Sequence, residues 1–222
     1  MHLMNRLIIG ISGASGVIYG IRLLEILKDV EDIETHLVVT NGGKLNISLE
    51  TDFDIKDVEQ MADVVHSDRN LGANIASGSF ETTGMIIAPC SMKTLSAVVN
   101  SYAANLIVRA ADVILKEKRQ LIIIPRETPL HLGHTELFYK ASLMGAHIVP
   151  PNPAFYNNPE SIDDIINHTV GRVLDLAGVD VPTAGLLAVF PASPGAFFTS
   201  TAAVTASAAA FLSAGVCPEN VL

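Results

Sequence analysis

Five short, almost continuously apolar runs recur along the first two thirds of the 222-residue chain, and stretches with helical periodicity separate most of them. Strands that are apolar on both faces are typical of a parallel sheet that helices cover on both sides. The sequence therefore predicts an α/β fold with a mainly parallel sheet. The predicted strands run from Leu7 to Ile11, His36 to Val39, Met85 to Ala88, Leu121 to Ile124 and His147 to Val149.

The first apolar run leads into a turn rich in glycine and serine, Gly10-Ile-Ser-Gly-Ala-Ser-Gly16, and then into a helical pattern. The first amides of a helix have no partner inside it and the helix dipole is positive there, so small residues allow an anion to come close. The turn lacks the lysine of a Walker loop and the spacing of a hydrolase elbow. It predicts a phosphate site to which Ser15 adds a hydroxyl donor; glycines that serve packing alone are the alternative.

The charge and cysteine content of the chain disfavour several classes of binding partner and of bound metal. The formal net charge is −9 and the chain has no basic run, which argues against nucleic acid and against an anionic membrane surface. The two cysteines, Cys90 and Cys217, form no Cys-x-x-Cys pair, so neither a disulfide framework nor a zinc site is indicated. The N-terminal residues lack a signal-peptide pattern, and a cytoplasmic protein is expected.

The chain is predicted to divide into one α/β domain, residues 1–180, and a tail, residues 181–222. Residues 181–218 carry no charged side chain and are rich in Ala, Ser and Thr. A membrane span from Ala196 to Val216 is not expected, because the run is weakly hydrophobic and prolines interrupt the residues before it. Packing against another subunit, or disorder, is the favoured interpretation of the tail.

Polar turns follow four of the predicted strands. The carboxyl ends of parallel strands meet at one edge of a sheet, where ligands bind, so these turns predict a binding rim. An arginine there can hold a phosphate through two parallel hydrogen bonds, and the glutamate beside it either fixes the arginine or accepts a proton. The turns are Gly13 to Ser15, Thr40-Asn41, Pro89-Cys90-Ser91 and Pro125-Arg126-Glu127, with Ser91 and Thr94 as donors at a helix start.

The second predicted strand ends at Thr40-Asn41, where an NAD site requires an acidic side chain for the ribose hydroxyls. NAD is therefore not expected. FMN, which has one phosphate and no second ribose, remains compatible with the turns.

Three further groups of residues have two interpretations each. Arg109, Asp112 and Lys116 lie along one side of a helix predicted from Leu106 to Leu115, either as solvated ion pairs or as part of a site. Cys90 is interpreted as a buried structural thiol rather than a nucleophile. The remaining pair, His131 and His134 with Glu136 nearby, falls short of a metal site, and a surface or capping role is expected.

Prolines make residues 150–159 a rigid loop. It is either a crossover with Phe155 in the core, or a lid in which Tyr156 offers a hydroxyl to a phosphate. The helix after it is predicted to begin at Asn158-Pro159 and to carry Arg172 just off its apolar face.

As a set, the motifs of residues 6–178 resemble the UbiX family of flavin prenyltransferases. The resemblance implies a Rossmann-like or flavodoxin-like three-layer sandwich, bound FMN, no metal, and a homododecamer with active sites at subunit junctions. The motifs are Gly10-Ile-Ser-Gly-Ala-Ser-Gly16, Ser77-Gly-Ser-Phe80, Pro89-Cys-Ser91, Arg109-Ala-Ala-Asp-Val113, Leu115-Lys-Glu117, Pro125-Arg-Glu-Thr-Pro129 and Pro153-Ala-Phe-Tyr156.

The same resemblance implies a reaction: a dimethylallyl group passes from dimethylallyl phosphate to reduced FMN, and prenylated FMN goes to UbiD-type decarboxylases of ubiquinone biosynthesis or aromatic-acid breakdown. By resemblance, Tyr156 and Arg172 bind the substrate phosphate. Arg109, Lys116, Ser15, Glu50 and Glu127 act near the reacting centre, Glu127 as the proton handler. The implied FMN contacts are Gly13, Ala14, Ser15, Thr40, Ser91, Met92, Lys93, Thr94 and Arg126.

Two features depart from the family pattern: Thr40 replaces a usual serine, and the tail lacks the family's charged, tryptophan-containing end. Two other functions remain open from the sequence. An FMN-dependent decarboxylase of cysteine-containing peptides would carry a Pro-x-Met-Asn-x-x-Met-Trp motif, which is missing. A non-catalytic FMN-binding accessory subunit would have no use for the extra cations Arg109, Lys116 and Arg172.

Overall fold

The computed structural model describes residues 5–181. Within them, six parallel strands form one sheet in the order β3-β2-β1-β4-β5-β6. This is the strand order of a Rossmann-like doubly wound sheet. The strands are β1 (Asn5–Ile11), β2 (Ile33–Val39), β3 (Val64–Ser67), β4 (Gly84–Cys90), β5 (Gln120–Pro125) and β6 (His147–Ile148).

Seven α-helices connect or follow the strands in the described range. They are α1 (Ile18–Leu27), α2 (Asn41–Glu50), α3 (Ile55–Glu59), α4 (Met92–Val99), α5 (Leu106–Lys116), α6 (Leu132–Leu143) and α7 (Ile162–Leu176). Short 3₁₀ turns occupy Asn74–Ala76 and Phe155–Asn157.

Helices cover both faces of the sheet. Alternate side chains of β1 point to opposite faces, so Leu7 and Ile9 pack with α1 and α7 while Ile8 packs with α4 and α5. The strands of the sheet centre are buried almost throughout, as their continuous apolar runs predict. The predicted α/β three-layer sandwich with a parallel sheet is therefore confirmed.

All five apolar runs form strands, but the sequence missed β3. Its residues alternate between partly buried and exposed, and the strand has only four residues at the sheet edge. So short an alternation carries little periodic signal.

The predicted start of α7 at Asn158-Pro159 is wrong. Asn158 has a left-handed backbone (φ 50°) and ends the 3₁₀ turn. The helix starts at Ile162 because Ser161 and Asp164 form a capping box: the Ser161 hydroxyl accepts from Asp164 N (3.2 Å) and Asp164 Oδ2 accepts from Ser161 N (2.8 Å).

Burial and contacts settle three of the open alternatives. Cys90 is 0% exposed and its burial raises the pKa of the thiol, so it is the expected structural thiol. Phe155 is 72% exposed, so the crossover that places it in the core is wrong. His131 caps α6 by accepting from Gly133 N (3.0 Å), and its ring contacts that of His134.

The predicted tail and the rejected span from Ala196 to Val216 lie outside the described residues, as does Cys217. Among the helices of residues 5–181, none is long and apolar enough to cross a membrane.

Candidate active site

The candidate site lies at the carboxyl edge of the sheet, where the strand order reverses between β1 and β4. Ligands of open α/β sheets bind at such a switch point. Ser12, the first residue after β1, joins the two sides: its hydroxyl donates to Pro89 O (2.9 Å) and accepts from Ser91 N (2.8 Å). Ser12 is fully buried, so these hydrogen bonds hold the two loops in a fixed relation.

Two helices begin at this edge with a hydroxyl cap. Thr40 Oγ1 accepts from Gly43 N (3.0 Å) at the start of α2, and Ser91 Oγ accepts from Thr94 N (3.2 Å) at the start of α4. Ser91 Oγ also donates to Thr94 Oγ1 (3.0 Å). Both helix dipoles place positive potential at the rim, which favours an anionic ligand. Ser91 and Thr94 therefore lie at a helix start, as expected, and their role as donors to a ligand stays a prediction.

The β1–α1 turn, which includes Gly13, Ala14 and Ser15, packs directly on the start of α2. A Cβ on Gly13 would lie 3.0 Å from the Cα of Gly42, so the two backbones approach closely. Gly16 has a φ of +97°, a conformation that favours glycine. These glycines therefore serve packing and turn geometry, and at the same time they leave the exposed turn open to a ligand.

Arg126 supplies the positive side chain of the rim. Its backbone N–H donates to Cys90 O (3.1 Å), and its Nε donates to Ser15 O (3.3 Å). The exposed guanidinium therefore lies against the β1–α1 turn; that it binds a phosphate there stays a prediction. Burial raises the pKa of neighbouring Tyr19, and the positive charge of Arg126 partly opposes that rise.

The carboxylate of Glu50 contacts backbone amides of the turn where the sequence predicts an anionic ligand. Its Oε2 accepts from Gly16 N (2.8 Å) and Val17 N (3.3 Å), the amides that precede α1. As expected, these two amides have no partner inside α1; their partner is a side chain of α2. The contact shows that the turn attracts an anion, and here a carboxylate of the same chain provides it.

The contacts that the structure shows for the α5 cations are with residues outside the rim. The helix begins beside β3, where Leu106 N donates to Asp68 O (2.8 Å), and runs about 15 Å toward the opposite edge of the sheet. Arg109, one turn into α5, donates to Ala76 O (3.2 Å) and Asp112 Oδ2 (3.0 Å). At the far end, Lys116 lies 3.3 Å from a Glu117 carboxylate oxygen.

A second group of predicted residues lies on α7 and on the 3₁₀ turn before it. Tyr156 Oη lies 3.2 Å from His168 Nε2, and Arg172 follows one turn later. The end of α7 reaches the amino edge of the sheet, because Gln120 at the start of β5 donates to Leu176 O. Arg172 is therefore near the amino edge, and one chain does not bring it to the rim that holds Arg126.

Glu127 is exposed beside Arg126 and accepts from Thr128 N (3.1 Å) through Oε1. The two carboxylates predicted near the reacting centre thus come to the rim from different elements, Glu50 from the end of α2 and Glu127 from the end of β5. Met92, Thr94 and exposed Lys93 form the first turn of α4 at the same edge.

Sequence reasoning missed the part that Ser12 plays. A small polar residue directly after a buried strand is a signal that points to it, but its partners, Pro89 O and Ser91 N, are 77 and 79 residues away. The contact of the Glu50 carboxylate could not be read from the local sequence, because its partners, Gly16 N and Val17 N, are 34 and 33 residues away.

A family model described as Flavoprotein matches residues 2–174 of the chain. The flavin prenyltransferase UbiX of Escherichia coli (strain K12) is 58% identical over 179 residues, which are 81% of this chain and 95% of that protein. A dodecameric FMN-dependent UbiX-like decarboxylase from Escherichia coli O157:H7 has a similar structure, with a TM-score of 0.78 and 48% identity over 80% of this chain and 97% of that one. AnUbiX, solved in complex with FMN and dimethylallyl pyrophosphate, gives a TM-score of 0.79 and 40% identity over 87% and 99% of the two chains.

Proposed function

Because this chain belongs to the UbiX family of flavin prenyltransferases, we propose that it transfers a dimethylallyl group from dimethylallyl phosphate to reduced FMN. The product is prenylated FMN. The single observation that carries the cofactor half of this proposal is the rim at the switch point, where two capped helix starts and the Arg126 guanidinium converge.

The rim fits a flavin mononucleotide. The fixed hydroxyl caps and the positive helix ends suit one phosphate, and the close packing of Gly13 on Gly42 keeps the turn free of side chains that would exclude a ligand. When bound, reduced FMN supplies the nucleophilic nitrogen N5 and carbon C6 that become joined to the dimethylallyl group. The proposed FMN contacts are Gly13, Ala14, Ser15, Thr40, Ser91, Met92, Lys93, Thr94 and Arg126.

The remaining cations suit the leaving group. When the allylic C–O bond breaks, phosphate departs with the electron pair, so negative charge grows on its oxygens while the carbon becomes cationic. Arg109, Lys116 and Arg172, with the Tyr156 hydroxyl, are proposed to stabilise that phosphate more strongly in the transition state than in the ground state. This chemistry needs no metal, since the guanidinium and ammonium groups supply the positive charge.

Proton transfer completes the reaction. Reduced FMN loses one proton for each dimethylallyl cation that it gains. Glu127 is proposed to accept that proton and then to pass it to the departing phosphate. Its carboxylate is exposed at the rim, one residue from Arg126. Glu50 is proposed to fix the β1–α1 turn through the Gly16 and Val17 amides and so to orient Ser15 toward the reacting centre.

The separation of the two groups within one chain supports a shared site. The rim lies at the carboxyl edge of the sheet and Arg172 lies near the amino edge, so Arg126 and Arg172 are proposed to meet where copies of the chain associate, in a homododecamer like that of the Escherichia coli structure. Light scattering of the purified protein tests the stoichiometry. A monomer at working concentration that retains full activity would contradict the shared site.

We further propose that the product serves a UbiD-type decarboxylase and that the protein acts in the cytoplasm. Both substrates are phosphate esters, and their charge prevents unaided passage through a membrane. Cell fractionation tests the location. A pull-down or activity rescue with a UbiD-type decarboxylase tests the recipient.

The deciding experiment incubates the protein with reduced FMN and dimethylallyl phosphate and then measures the mass of the extracted flavin. The expected result is a flavin heavier by one five-carbon unit. Unchanged FMN would favour a carrier, and carbon dioxide released from a cysteine-containing peptide would favour the decarboxylase alternative.

A further inference from the structure

Tyr156 depends on one side chain for the direction of its hydroxyl group. The Tyr156 side chain is 78% exposed on the proline-rich loop before α7. Its Oη lies 3.2 Å from His168 Nε2, and the two rings meet edge to face, with centroids 5.9 Å apart and an interplanar angle of 85°. Within residues 5–181, this is the hydrogen bond that the hydroxyl makes.

The backbone of the loop is fixed independently of that contact. Asp164 Oδ2 accepts from Glu160 N (2.9 Å) and Ser161 N (2.8 Å), which ties the end of the loop to the first turn of α7. The 3₁₀ turn closes through Asn158 N and Phe155 O (3.0 Å). The ring of Tyr156 can therefore rotate without unfolding the loop, and His168 selects one orientation.

His168 and Arg172 lie on the same side of α7 because they are four residues apart. The Arg172 guanidinium is largely exposed and has a weak ion pair, 4.0 Å, with Asp175. A phosphate held by Arg172 and by the Tyr156 hydroxyl would therefore lie beside the imidazole that orients the hydroxyl.

We propose that His168 is a positioning residue for the phosphate of the prenyl donor, an inference that rests on the proposed function. His168 donates Nε2–H to Tyr156 Oη, and the tyrosine proton is then free for a phosphate oxygen. If the tyrosine hydroxyl instead donated to His168 Nε2, its proton would point at the imidazole, and only oxygen lone pairs would face the phosphate. A donor behind the hydroxyl also polarises it and strengthens its hydrogen bond to the anion.

The test compares two substitutions of His168 in the full-length protein. His168→Phe keeps an aromatic ring against Tyr156 but removes the hydrogen bond, and His168→Gln keeps an amide N–H donor near the position of Nε2. His168→Phe should lower kcat/KM for dimethylallyl phosphate about tenfold, mainly through KM, as expected for a hydrogen bond that acts on a charged ligand. His168→Gln should recover most of that loss. The Kd for FMN and the Tm should stay at wild-type values for both.

A double-mutant cycle shows whether His168 acts through Tyr156. In a Tyr156→Phe background, His168→Phe should change kcat/KM less than about twofold, because the hydroxyl that it orients is gone. Losses that multiply in the double variant would overturn the inference, as would a His168→Gln protein as poor as His168→Phe. A wild-type protein that makes no prenylated flavin would overturn the proposed function itself and this inference with it.

Discussion

The rim at the switch point and the exposed side of α7 are built in opposite ways. At the rim, short side chains and backbone groups are fixed by buried hydrogen bonds, such as those of Ser12 with Pro89 and Ser91. On α7 and the loop before it, the exposed side chains of Arg172 and Tyr156 have one weak ion pair and one hydrogen bond within residues 5–181. The first arrangement suits a flavin that is held firmly while it reacts, whereas the second suits the smaller prenyl donor, whose phosphate must be released.

The difference also explains where charge is supplied. Helix ends and hydroxyl caps hold a phosphate through fixed partial charges, which need no side-chain ordering. A phosphate that leaves during the reaction gains charge as its bond breaks, so full cations stabilise it best. The first three predictions below separate these two functions.

The largest expected effect belongs to the α7 side. Arg172→Ala should lower kcat/KM for prenyl transfer about 100-fold, because a hydrogen-bonded charge on a departing phosphate contributes about 2–3 kcal/mol. The Kd for FMN should not change. Steady-state kinetics and flavin fluorescence titration measure the two quantities, with Arg172→Lys and the exposed Lys28→Ala as controls. Undiminished prenyl transfer would show that Arg172 does not hold the departing phosphate.

The rim should give the reverse pattern. Arg126→Ala should weaken FMN binding about 30-fold through the loss of a charge-assisted hydrogen bond, and it should leave the Tm nearly unchanged because the guanidinium is exposed.

Mixing the Arg126→Ala and Arg172→Ala proteins after dissociation and reassembly should restore about a quarter of wild-type activity if each site uses both groups from different copies. No restoration would place both groups on one chain.

Ser12→Ala tests the buried link under the rim. The change leaves Pro89 O and Ser91 N without their hydroxyl partner, which should cost about 1–3 kcal/mol of unfolding free energy and weaken FMN binding about tenfold. Chemical denaturation and FMN titration measure these effects. Ser142→Ala, on the exposed surface of α6, is the matched control. Equal FMN affinity for wild type and Ser12→Ala would show that the rim forms without this bridge.

The smallest effect concerns Asp68, which holds the start of α5 beside the rim. Burial raises the pKa of this carboxyl above its ordinary value of 3.8, and within the described residues its Oδ1 is buried without a hydrogen-bond partner. The folded state therefore binds this proton more tightly than the unfolded state, so the contribution of Asp68 to stability falls as pH rises from 3.8 through the raised pKa.

Asp68→Asn removes that titration while it keeps the size of the side chain. The Tm of the variant relative to wild type should rise by a few degrees as pH increases from about 4 to 7, with FMN binding unaffected. Thermal unfolding at a series of pH values measures it. A constant difference in Tm across the series would contradict the assigned pKa shift.

The order of apolar runs was enough to predict the parallel sheet, because each of the largely buried strands β1, β2, β4 and β5 is a local pattern of six or seven residues. The four polar turns, of which the glycine- and serine-rich turn is one, likewise predicted the rim, since topology alone brings the carboxyl ends of parallel strands together. The predicted start of α7 was wrong because the Ser161 capping box competes with Asn158-Pro159 as the beginning of the helix. Strand β3 was missed because four residues give too little periodicity.

By itself, then, the sequence determined the α/β architecture, the edge of the sheet at which the polar turns converge and, through its family motifs, the candidate residues. Only the tertiary structure decided which of those residues meet: Glu50 on the amides of Gly16 and Val17, Ser12 across the switch point, and Tyr156 on His168. Periodicity reports the local environment of each residue, whereas these contacts depend on how separate elements pack.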